Sequence, residues 1–305
     1  MNTAQAAPKS IATGVALSML GAIAFSGKAI IVKLAYRYHV DAVTVIMFRM
    51  LFALPFFLAI VWWTSHPRRG VAVVPLNGKD CWGILGLGVT GYYLASFLDF
   101  AGLQYISASL ERLILYLNPT LVVLMGWGLY GRRIDVRQAL GMAISYSGVL
   151  VVFGHELSLS GTDAPLGAAL VLGSAVAYAV YLVYSGEMVR RLGSLRLVGL
   201  ATSVACVLCI AQFVLLRPIS SAWAVAPEVI WLSMLNATAC TVVPVLLVMM
   251  SIERIGSGLA AQSGMVGPMS TIIMGVVILG ESFTGWVVAG TVLVLAGVFV
   301  VTRSR

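Results

Sequence analysis

The chain has 305 residues and a mass of 32.3 kDa, and 60% of its residues are hydrophobic while only 10% are charged. Its mean hydropathy is +1.01. Soluble domains carry roughly a quarter charged residues, so this chain has too little polar material to cover a soluble globule. The composition indicates an integral membrane protein and excludes a cytosolic enzyme, a secreted module and a disordered scaffold. The net charge of +8 needs its own explanation, because in a soluble chain it would suggest a nucleic-acid partner.

Apolar segments of membrane-spanning length follow one another along almost the whole chain. At roughly 20 residues per spanning helix, they predict about ten helices. The predicted helices lie at residues 11–36, 41–63, 81–103, 107–130, 134–153, 164–187, 195–216, 228–250, 255–279 and 284–302. The longest connections, at 64–80, 154–163 and 217–227, are too short for an ATP-hydrolysing domain. Any energy source is therefore expected to be an ion or solute gradient.

Basic residues are distributed unequally between the two sides of the predicted bundle, and this explains the net charge. If the amino terminus is cytoplasmic, the outside loops hold only Arg37 and Arg217. The inside segments then hold Lys9, Arg68, Arg69, Lys79, Arg132, Arg133, Arg137, Arg190, Arg191, Arg196, Arg254, Arg303 and Arg305. This asymmetry follows the positive-inside rule, so we expect both termini in the cytoplasm and the protein in a bacterial inner membrane. No nucleic-acid partner is expected.

The second half of the chain repeats the first at an offset of 149 residues. The offset aligns Pro119 with Pro268 and the ends SGVLVV and AGVFVV, while the first helix matches at an offset of 153, where GVALSMLGAIAF resembles GAALVLGSAVAY. We therefore expect two units, residues 11–153 and 164–302, of five helices each. Because five is odd, the second unit enters the membrane from the opposite side. Inverted repeats of this kind are common in secondary transporters.

Motifs at fixed places in these units resemble a known family. They are an arginine one-third along the second helix in FRMLFALP, a proline mid-way through the fourth in LNPTLVVL and VGPMSTII, and a glycine-containing turn before a fifth helix ending in GV. Together they resemble the EamA family of the drug/metabolite transporter superfamily and, more distantly, its YddG-type aromatic amino-acid exporters. The resemblance implies an all-α, ten-helix carrier, often an exporter of amino acids, whose central cavity is formed by helices 1, 3, 4, 6, 8 and 9. The first unit departs from the pattern, because Arg132 stands where the second unit has Glu281.

Charged side chains inside the predicted helices are the first candidate site residues, because charges at membrane depth are costly and usually face a cavity or a partner. The candidates are Lys28, Arg49, Asp99, Glu111 and Arg112. We expect Arg49 to form a structural ion pair with Asp99 or Glu111, since a guanidinium binds a carboxylate well. For Lys28 two alternatives stay open, an ion pair or binding of a substrate carboxylate. The two arginines are expected to keep Glu111 ionised.

The matched prolines Pro119 and Pro268 predict hinges at a central site. Matched interruptions of two repeats are a good sequence indicator of a transporter's binding site. Each proline removes a helix hydrogen bond and is expected to free the carbonyl four residues earlier, at Leu115 and Gly264. The alternative is a kink that serves packing alone. Tyr116 lies close to this position and is a further candidate for substrate binding.

Aromatic and polar side chains form a second group of candidates. Tyr92, Ser96 and Asp99 follow i, i+4, i+7 spacing on the third helix, and Tyr178 and Tyr181 follow i, i+3 spacing on the sixth. Such rings suit stacking against an apolar or aromatic solute, although aromatic residues are also common at membrane interfaces. The second half adds two neutral polar candidates, Asn236 and Gln262.

These features predict a secondary transporter that works by alternating access on a small zwitterionic or amphipathic metabolite, with export of amino acids, including aromatic ones, as the leading interpretation. An antiporter of organic anions or phosphate is the alternative, because the central bases outnumber the acids. An intramembrane enzyme is disfavoured, since the three histidines fall in predicted loops and the sequence has no HExxH or GxSxG motif. No cofactor and no catalytic or structural metal is expected. A monomer and a homodimer are both compatible with the sequence.

Overall fold

The computed structural model describes residues 11–66, 73–131, 133–160 and 163–303, and the regular elements in these residues are all helices. We number the ten long helical segments α1 (Ile11–Tyr36), α2 (Ala42–Ser65), α3 (Gly78–Gly102), α4 (Ala108–Tyr130), α5 (Val136–Ser160), α6 (Ala164–Leu192), α7 (Ser194–Leu216), α8 (Pro227–Gly256), α9 (257–279) and α10 (Gly285–Arg303). In the described chain, all of these but α9 are single helices long and apolar enough to cross a membrane. The bases Lys9, Arg68, Arg69, Arg132 and Arg305 lie outside the described residues.

The ends of the helices differ from the predicted ends where polar residues continue or begin a helix. Helix α3 starts at Gly78 rather than at 81, because Asn77 and Asp80 form a reciprocal capping box at its first turn. Helices α5 and α6 continue to Ser160 and Leu192, past the predicted ends at 153 and 187. Hydropathy detects the part of a helix that lies in lipid, whereas hydrogen bonding extends these helices into the polar region beyond it.

Helices α4 and α9 are both interrupted at matched positions. Helix α4 runs as Ala108–Leu115 and Asn118–Tyr130, with a turn at 116–117. Helix α9 begins after Gly256, whose φ of 78° and ψ of 162° end α8, and its second piece starts at Val266 after a turn at 264–265. At the offset of 149 residues the two interruptions fall within one residue of each other.

A second pair of matched irregularities lies in α3 and α8. Each helix contains a π-helical turn, at Val89–Leu94 in α3 and at Thr238–Val242 in α8. The first residues of the two turns differ by 149 positions, the offset of the repeat. Single π-helical turns inside α-helices are rare and are found frequently at functional sites. The two halves of the chain therefore share local backbone geometry as well as sequence.

The packing of the helices follows the two-repeat organisation. The most extensive contacts join α5 with α10, α3 with α6, α1 with α8 and α2 with α7, and α4 packs chiefly against α6. Along α5 and α10 the backbones approach closely, and a Cβ added at Gly148 would lie 2.6 Å from the carbonyl oxygen of Gly290. Small residues that allow this approach are typical of helix contacts in membranes. The chain is an all-α membrane protein built from two repeats of five helices.

Candidate functional site

A buried ion pair joins α1 to α3 and reaches α4. Lys28 Nζ lies 2.5 Å from Asp99 Oδ2 and 3.6 Å from Glu111 Oε1. All three side chains are buried, and Glu111 is completely inaccessible. Of the two alternatives for Lys28, the structure contains the ion pair. A single ammonium group thus faces two carboxylates.

Arg112 is held by groups other than carboxylates. Its guanidinium donates to Ser26 Oγ at 2.9 Å and lies over the rings of Phe25 and Tyr116, at 5.3 and 5.7 Å from their centroids. In the described chain no carboxylate lies within ion-pair distance of it. Ser26 lies 2.8 Å from the carbonyl oxygen of Gly267 and can donate to it, so Arg112 is linked through α1 to the interruption of α9. We call Lys28, Asp99, Glu111 and Arg112 the charged cluster.

The ion pair predicted for Arg49 is wrong. Its Nε donates to Thr241 Oγ1 at 3.0 Å, and its guanidinium lies 5.1 Å from the centroid of Phe100. No carboxylate of the described residues is within ion-pair distance of Arg49, and Asp99 is paired with Lys28 instead. The sequence did not indicate this, since Thr241 reaches Arg49 from the π-helical turn of α8, 192 residues away.

Three tyrosines pack together at the contact between α3 and α6. Tyr92 and Tyr181 meet edge to face at 5.1 Å with their hydroxyl oxygens 3.3 Å apart, and Tyr178 stacks on Tyr181 at 5.5 Å. A Cβ added at Gly91 would lie 2.5 Å from the ring of Tyr181, so glycine is needed for this approach. We call these three tyrosines the aromatic cluster. The spacing in the sequence put Tyr178 and Tyr181 on one face of a helix, but their contact with Tyr92 was not predicted.

The neutral polar candidates lie in different surroundings. Ser96 is half-buried on α3, between the aromatic cluster and Asp99. Asn236 is buried and donates to the backbone carbonyl of Lys28 at 3.3 Å, so it supports the charged cluster from α8. Gln262 is exposed on the first piece of α9. The structure does not bring Gln262 together with the other candidates.

Both matched prolines lie in the first turn of a new helical piece rather than inside a continuous helix. Pro119 and Pro268 follow the interruptions of α4 and α9, where a missing N–H costs little. The carbonyl of Leu115 accepts from Asn118 Nδ2 at 2.7 Å, and that of Gly264 accepts from Tyr116 Oη at 2.9 Å. The carbonyls therefore have protein donors in this structure, and one of those donors comes from the opposite repeat.

Two glutamates that the sequence analysis did not select cap the amino-terminal end of α4. Glu281 accepts from Ala108 N at 2.7 Å and from Ser109 Oγ at 2.8 Å. Glu156 accepts from the backbone N–H and the hydroxyl of Ser107. Carboxylates at this position satisfy free N–H groups and interact favourably with the helix dipole. We call this side of the bundle the Glu281 end.

A cavity of about 470 Å³ lies at the Glu281 end. Lys33 of α1 and Arg37 in the turn after α1 line it together with the two glutamates. Lys33 donates to the carbonyl of Ile106 at 2.6 Å, and Arg37 donates to that of Leu279 at 2.9 Å. The loop before α4, the end of α9 and the end of α1 are thereby tied together. No single sequence motif predicts such an arrangement, because its members come from α1, α4, α5 and the loop before α10.

A larger cavity, of about 670 Å³, lies at the opposite side of the bundle between the second halves of α4 and α6. Arg133 and Arg190 line it at its polar rim, and we call this side the Arg133 end. A Cβ added at Gly186, on the wall of the cavity, would meet nothing within 4 Å. The two ends of the bundle therefore differ, because carboxylates tie helices together beside the smaller cavity, whereas the larger cavity lies between the ends of α4 and α6.

Comparison with known proteins identifies the family. Residues 12–154 and 165–303 each match the model of the EamA-like transporter family. The chain belongs to this family. Over 282 residues, 88% of this chain and 86% of the relative, the transporter is 31% identical to the uncharacterized transporter YcbK of Bacillus subtilis (strain 168). An uncharacterized transporter of Archaeoglobus fulgidus is 23% identical over 291 residues, covering 95% of this chain and 96% of that protein.

A solved crystal structure has the same fold. It is 20% identical in sequence, covers 97% of this chain and 98% of its own, and superposes with a TM-score of 0.64. Family membership and the transporter relatives make this chain an integral membrane transporter and argue against an enzyme. Among the described residues, no group of three or more metal-ligating side chains is arranged to hold a metal ion.

Proposed function

We propose that this transporter exports zwitterionic metabolites, with amino acids that carry an aromatic or large apolar side chain as its substrate class. The observation that carries the proposal is the position of the two clusters on α3. Asp99 belongs to the charged cluster, and Tyr92 belongs to the aromatic cluster seven residues earlier on the helix. Seven residues rise roughly 10 Å along a helix. A small solute with a charged end and a ring suits this separation.

The inverted repeat supports a substrate with two chemically different ends. At the offset of 153 residues, Phe25 and Lys28 on α1 correspond to Tyr178 and Tyr181 on α6. Equivalent positions of the two repeats thus carry a charged group in the first half and phenol rings in the second. In a fold with two-fold pseudosymmetry these positions lie on opposite sides of the axis, where a transporter of this type binds its substrate.

The charged cluster has groups for both charges of a zwitterion. The guanidinium of Arg112 can bind a carboxylate in two parallel hydrogen bonds while the flanking rings exclude water. Asp99 Oδ1 and both oxygens of Glu111 accept no hydrogen bond from the described residues, so they are available to an ammonium group. The basic excess that motivated an organic-anion antiporter is smaller than the count suggests, since Lys28 is paired with Asp99.

Alternating access is the mechanism that fits the different ends of the bundle. Arg112, Tyr116, Pro119, Val123 and Gly126 follow alternating steps of four and three residues, so they lie along one side of α4. This side leads from the charged cluster to the cavity at the Arg133 end, which Val123 and Gly126 line. We propose that substrate enters along it and leaves after the contacts at the Glu281 end open.

Transport by purified protein in liposomes tests the substrate class. Vesicles preloaded with unlabelled L-phenylalanine should accumulate labelled L-phenylalanine by saturable exchange, and vesicles preloaded with a phosphate ester should not. Removing one ring in Tyr178→Ala should lower the preference for L-phenylalanine over L-alanine by about 2- to 12-fold, since an aromatic pair contributes about 0.5–1.5 kcal/mol. Tyr38→Ala, an exposed tyrosine in the turn after α1, is the matched control. Exchange with phosphate esters alone would favour the anion antiporter, and a linear concentration dependence would refute a carrier.

The orientation that we propose places the Arg133 end and both termini in the cytoplasm of a bacterial cell. A single cysteine at Arg133 should then react with a membrane-impermeant reagent only after the cells are opened, and a cysteine at Asp163 should react in intact cells. Reaction of the Arg133 position from outside would reverse the proposed direction of transport. Sedimentation of the detergent-solubilised protein distinguishes a monomer from a homodimer.

A further inference from the structure

In the charged cluster the ammonium group of Lys28 lies near two buried carboxylates, those of Asp99 and Glu111. Lys28 Nζ is 2.5 Å from Asp99 but 3.6 Å from Glu111, so its shortest contact is with Asp99. Glu111 is completely inaccessible, and neither of its oxygens accepts a hydrogen bond from a described residue. A buried carboxylate that lacks its own cation and hydrogen-bond donors is strongly disfavoured in the charged form. The three groups would carry an excess negative charge if both carboxylates were ionised.

The other titratable and charged groups around the pair do not supply the missing partner. Arg112 donates to Ser26, Arg49 donates to Thr241 and Lys33 donates to a backbone carbonyl. The remaining buried N–H groups, at Arg112 Nε and Arg49 Nη1, have no acceptor among the described residues within hydrogen-bond distance, so they do not reach Glu111. Tyr36 donates to the backbone carbonyl of Phe100 at 2.7 Å, and Cys240 is a free cysteine. These groups are Arg112 on α4, Arg49 on α2, Lys33 and Tyr36 on α1, and Cys240 on α8. The sequence suggested that the arginines would keep Glu111 ionised, but both guanidiniums lie beyond ion-pair distance of it.

We propose that the Asp99–Glu111 pair is a proton-binding site, and that the ammonium group of the substrate takes the place of the proton. Without substrate, Lys28, Asp99 and a protonated Glu111 are neutral as a set. When a zwitterion binds, its ammonium group faces the two carboxylates and its carboxylate faces Arg112. Glu111 gives up one proton to water, and the set of three residues with the ammonium group is again neutral. One proton leaves for each substrate that binds, and no electron is transferred.

This competition would make the transporter a proton antiporter. The site holds either a proton or the ammonium group, and it alternates between the two sides of the membrane with one of them bound. A proton gradient directed into the cell would then drive the substrate outward. The identity of the competing cation rests on the proposed function, whereas the excess carboxylate is a property of the substrate-free protein.

Infrared spectroscopy of the purified protein tests the proton-binding site directly. A protonated carboxyl group has a C=O stretching band that is distinct from the bands of a carboxylate, and the band shifts in D₂O. We expect this band in the substrate-free protein near neutral pH and its loss on addition of L-phenylalanine. Calorimetry in buffers of different ionisation enthalpy should show release approaching one proton per L-phenylalanine bound, at a pH where the free site is fully protonated.

Variants of the charged cluster should change the intensity of the carboxyl band in opposite directions. Glu111→Gln and Asp99→Asn should each lose the band, because each leaves one carboxylate with one ammonium group. Lys28→Met should instead increase it, since both carboxyl groups then lack a cation. Glu228→Gln, which changes an exposed glutamate in the first turn of α8, is the matched control and should keep the band. Even if a variant fails to fold, the spectrum of the unmodified protein remains decisive.

The outcomes separate this inference from the proposed function. Absence of the band in the unmodified protein, or a band unchanged in both Glu111→Gln and Asp99→Asn, would overturn the proton-binding site. Binding of L-phenylalanine without loss of the band would overturn the competition. A band that depends on Glu111 in a protein that binds no amino acid would leave the proton-binding site standing and refute the proposed substrate class.

Discussion

Neutralising Glu281 should loosen the Glu281 end of the transporter selectively. The carboxylate accepts from Ala108 N at 2.7 Å, Ser109 N at 3.3 Å and Ser109 Oγ at 2.8 Å. These are hydrogen bonds to a charged acceptor at the start of a helix, where the dipole also favours a negative charge. Glu281→Gln keeps the length of the side chain but replaces one acceptor oxygen with a donor.

The size of the effect follows from these contacts. A hydrogen bond to a charged group contributes about 1.5–3 kcal/mol, and a helix dipole adds about 0.3–1 kcal/mol. The glutamine retains one acceptor oxygen, so we expect a loss equivalent to one charged hydrogen bond and part of the dipole term, about 2–3 kcal/mol. That loss corresponds to roughly 30- to 140-fold more frequent opening of the first turn of α4.

Hydrogen exchange of the backbone amides measures this opening. The amides of Ala108 and Ser109 should exchange roughly 30- to 140-fold faster in Glu281→Gln. Amides in α7, which has no contact with Glu281 among the hydrogen bonds of the described chain, should be unchanged. Glu228→Gln controls for the loss of a carboxylate at a helix start. If exchange at Ala108 and Ser109 rises less than twofold in a folded protein, Glu281 does not hold this end closed.

Three further predictions concern the charged cluster, the larger cavity and a loop ion pair. Arg112→Lys should weaken amino-acid binding more than binding of the matching amine without a carboxylate, as measured by calorimetry, because lysine lacks the planar fork. Gly186→Phe should fill the larger cavity and slow exchange in liposomes at unchanged thermal stability, whereas Gly128→Phe, also with nothing within 4 Å, should not. Burial alone would raise the pKa of Asp41, but hydrogen bonds from Thr44 and Arg217 lower it overall below 3.8. The contacts of ionised Asp41 with Thr44 and Arg217 therefore stabilise the folded protein above pH 3.8, and this stabilisation is lost as the pH falls through the lowered pKa. The difference in Tm between wild type and Asp41→Asn should accordingly disappear below that pKa.

The sequence predicted the helices well because one strong physical constraint determines them. A segment that crosses a lipid bilayer must be apolar over a fixed length and must satisfy its backbone internally. The predicted end of α1, at residue 36, is that of the structure, and the predicted segment at 255–279 contains α9. A hinge was predicted at Pro268, but the break in α9 is a turn at 264–265, before the proline, rather than a kink within a continuous helix.

The sequence predicted which residues belong to the candidate site better than it predicted which of them pair with one another. Burial of Lys28, Asp99, Glu111 and Arg112 followed from the cost of charge in lipid, and the structure places them together. Which base meets which acid depends on helix rotation and on distances of an ångström or two, which periodicity does not determine. Arg49 therefore received the wrong partner.

The two repeats close their ends with different chemistry, although their backbones match. Glu156 and Glu281 cap α4, and the positions that match them at the offset of 149 are Arg305 and Arg132, which lie outside the described residues. An arginine has no acceptor for the free N–H groups at the start of a helix, and its charge is repelled by the helix dipole. Arginines at the matched positions therefore cannot supply the carboxylate cap that the start of α4 receives. An exchange of charge at two matched positions thus makes the starts of two equivalent helices chemically unequal, although their backbones follow the same repeat.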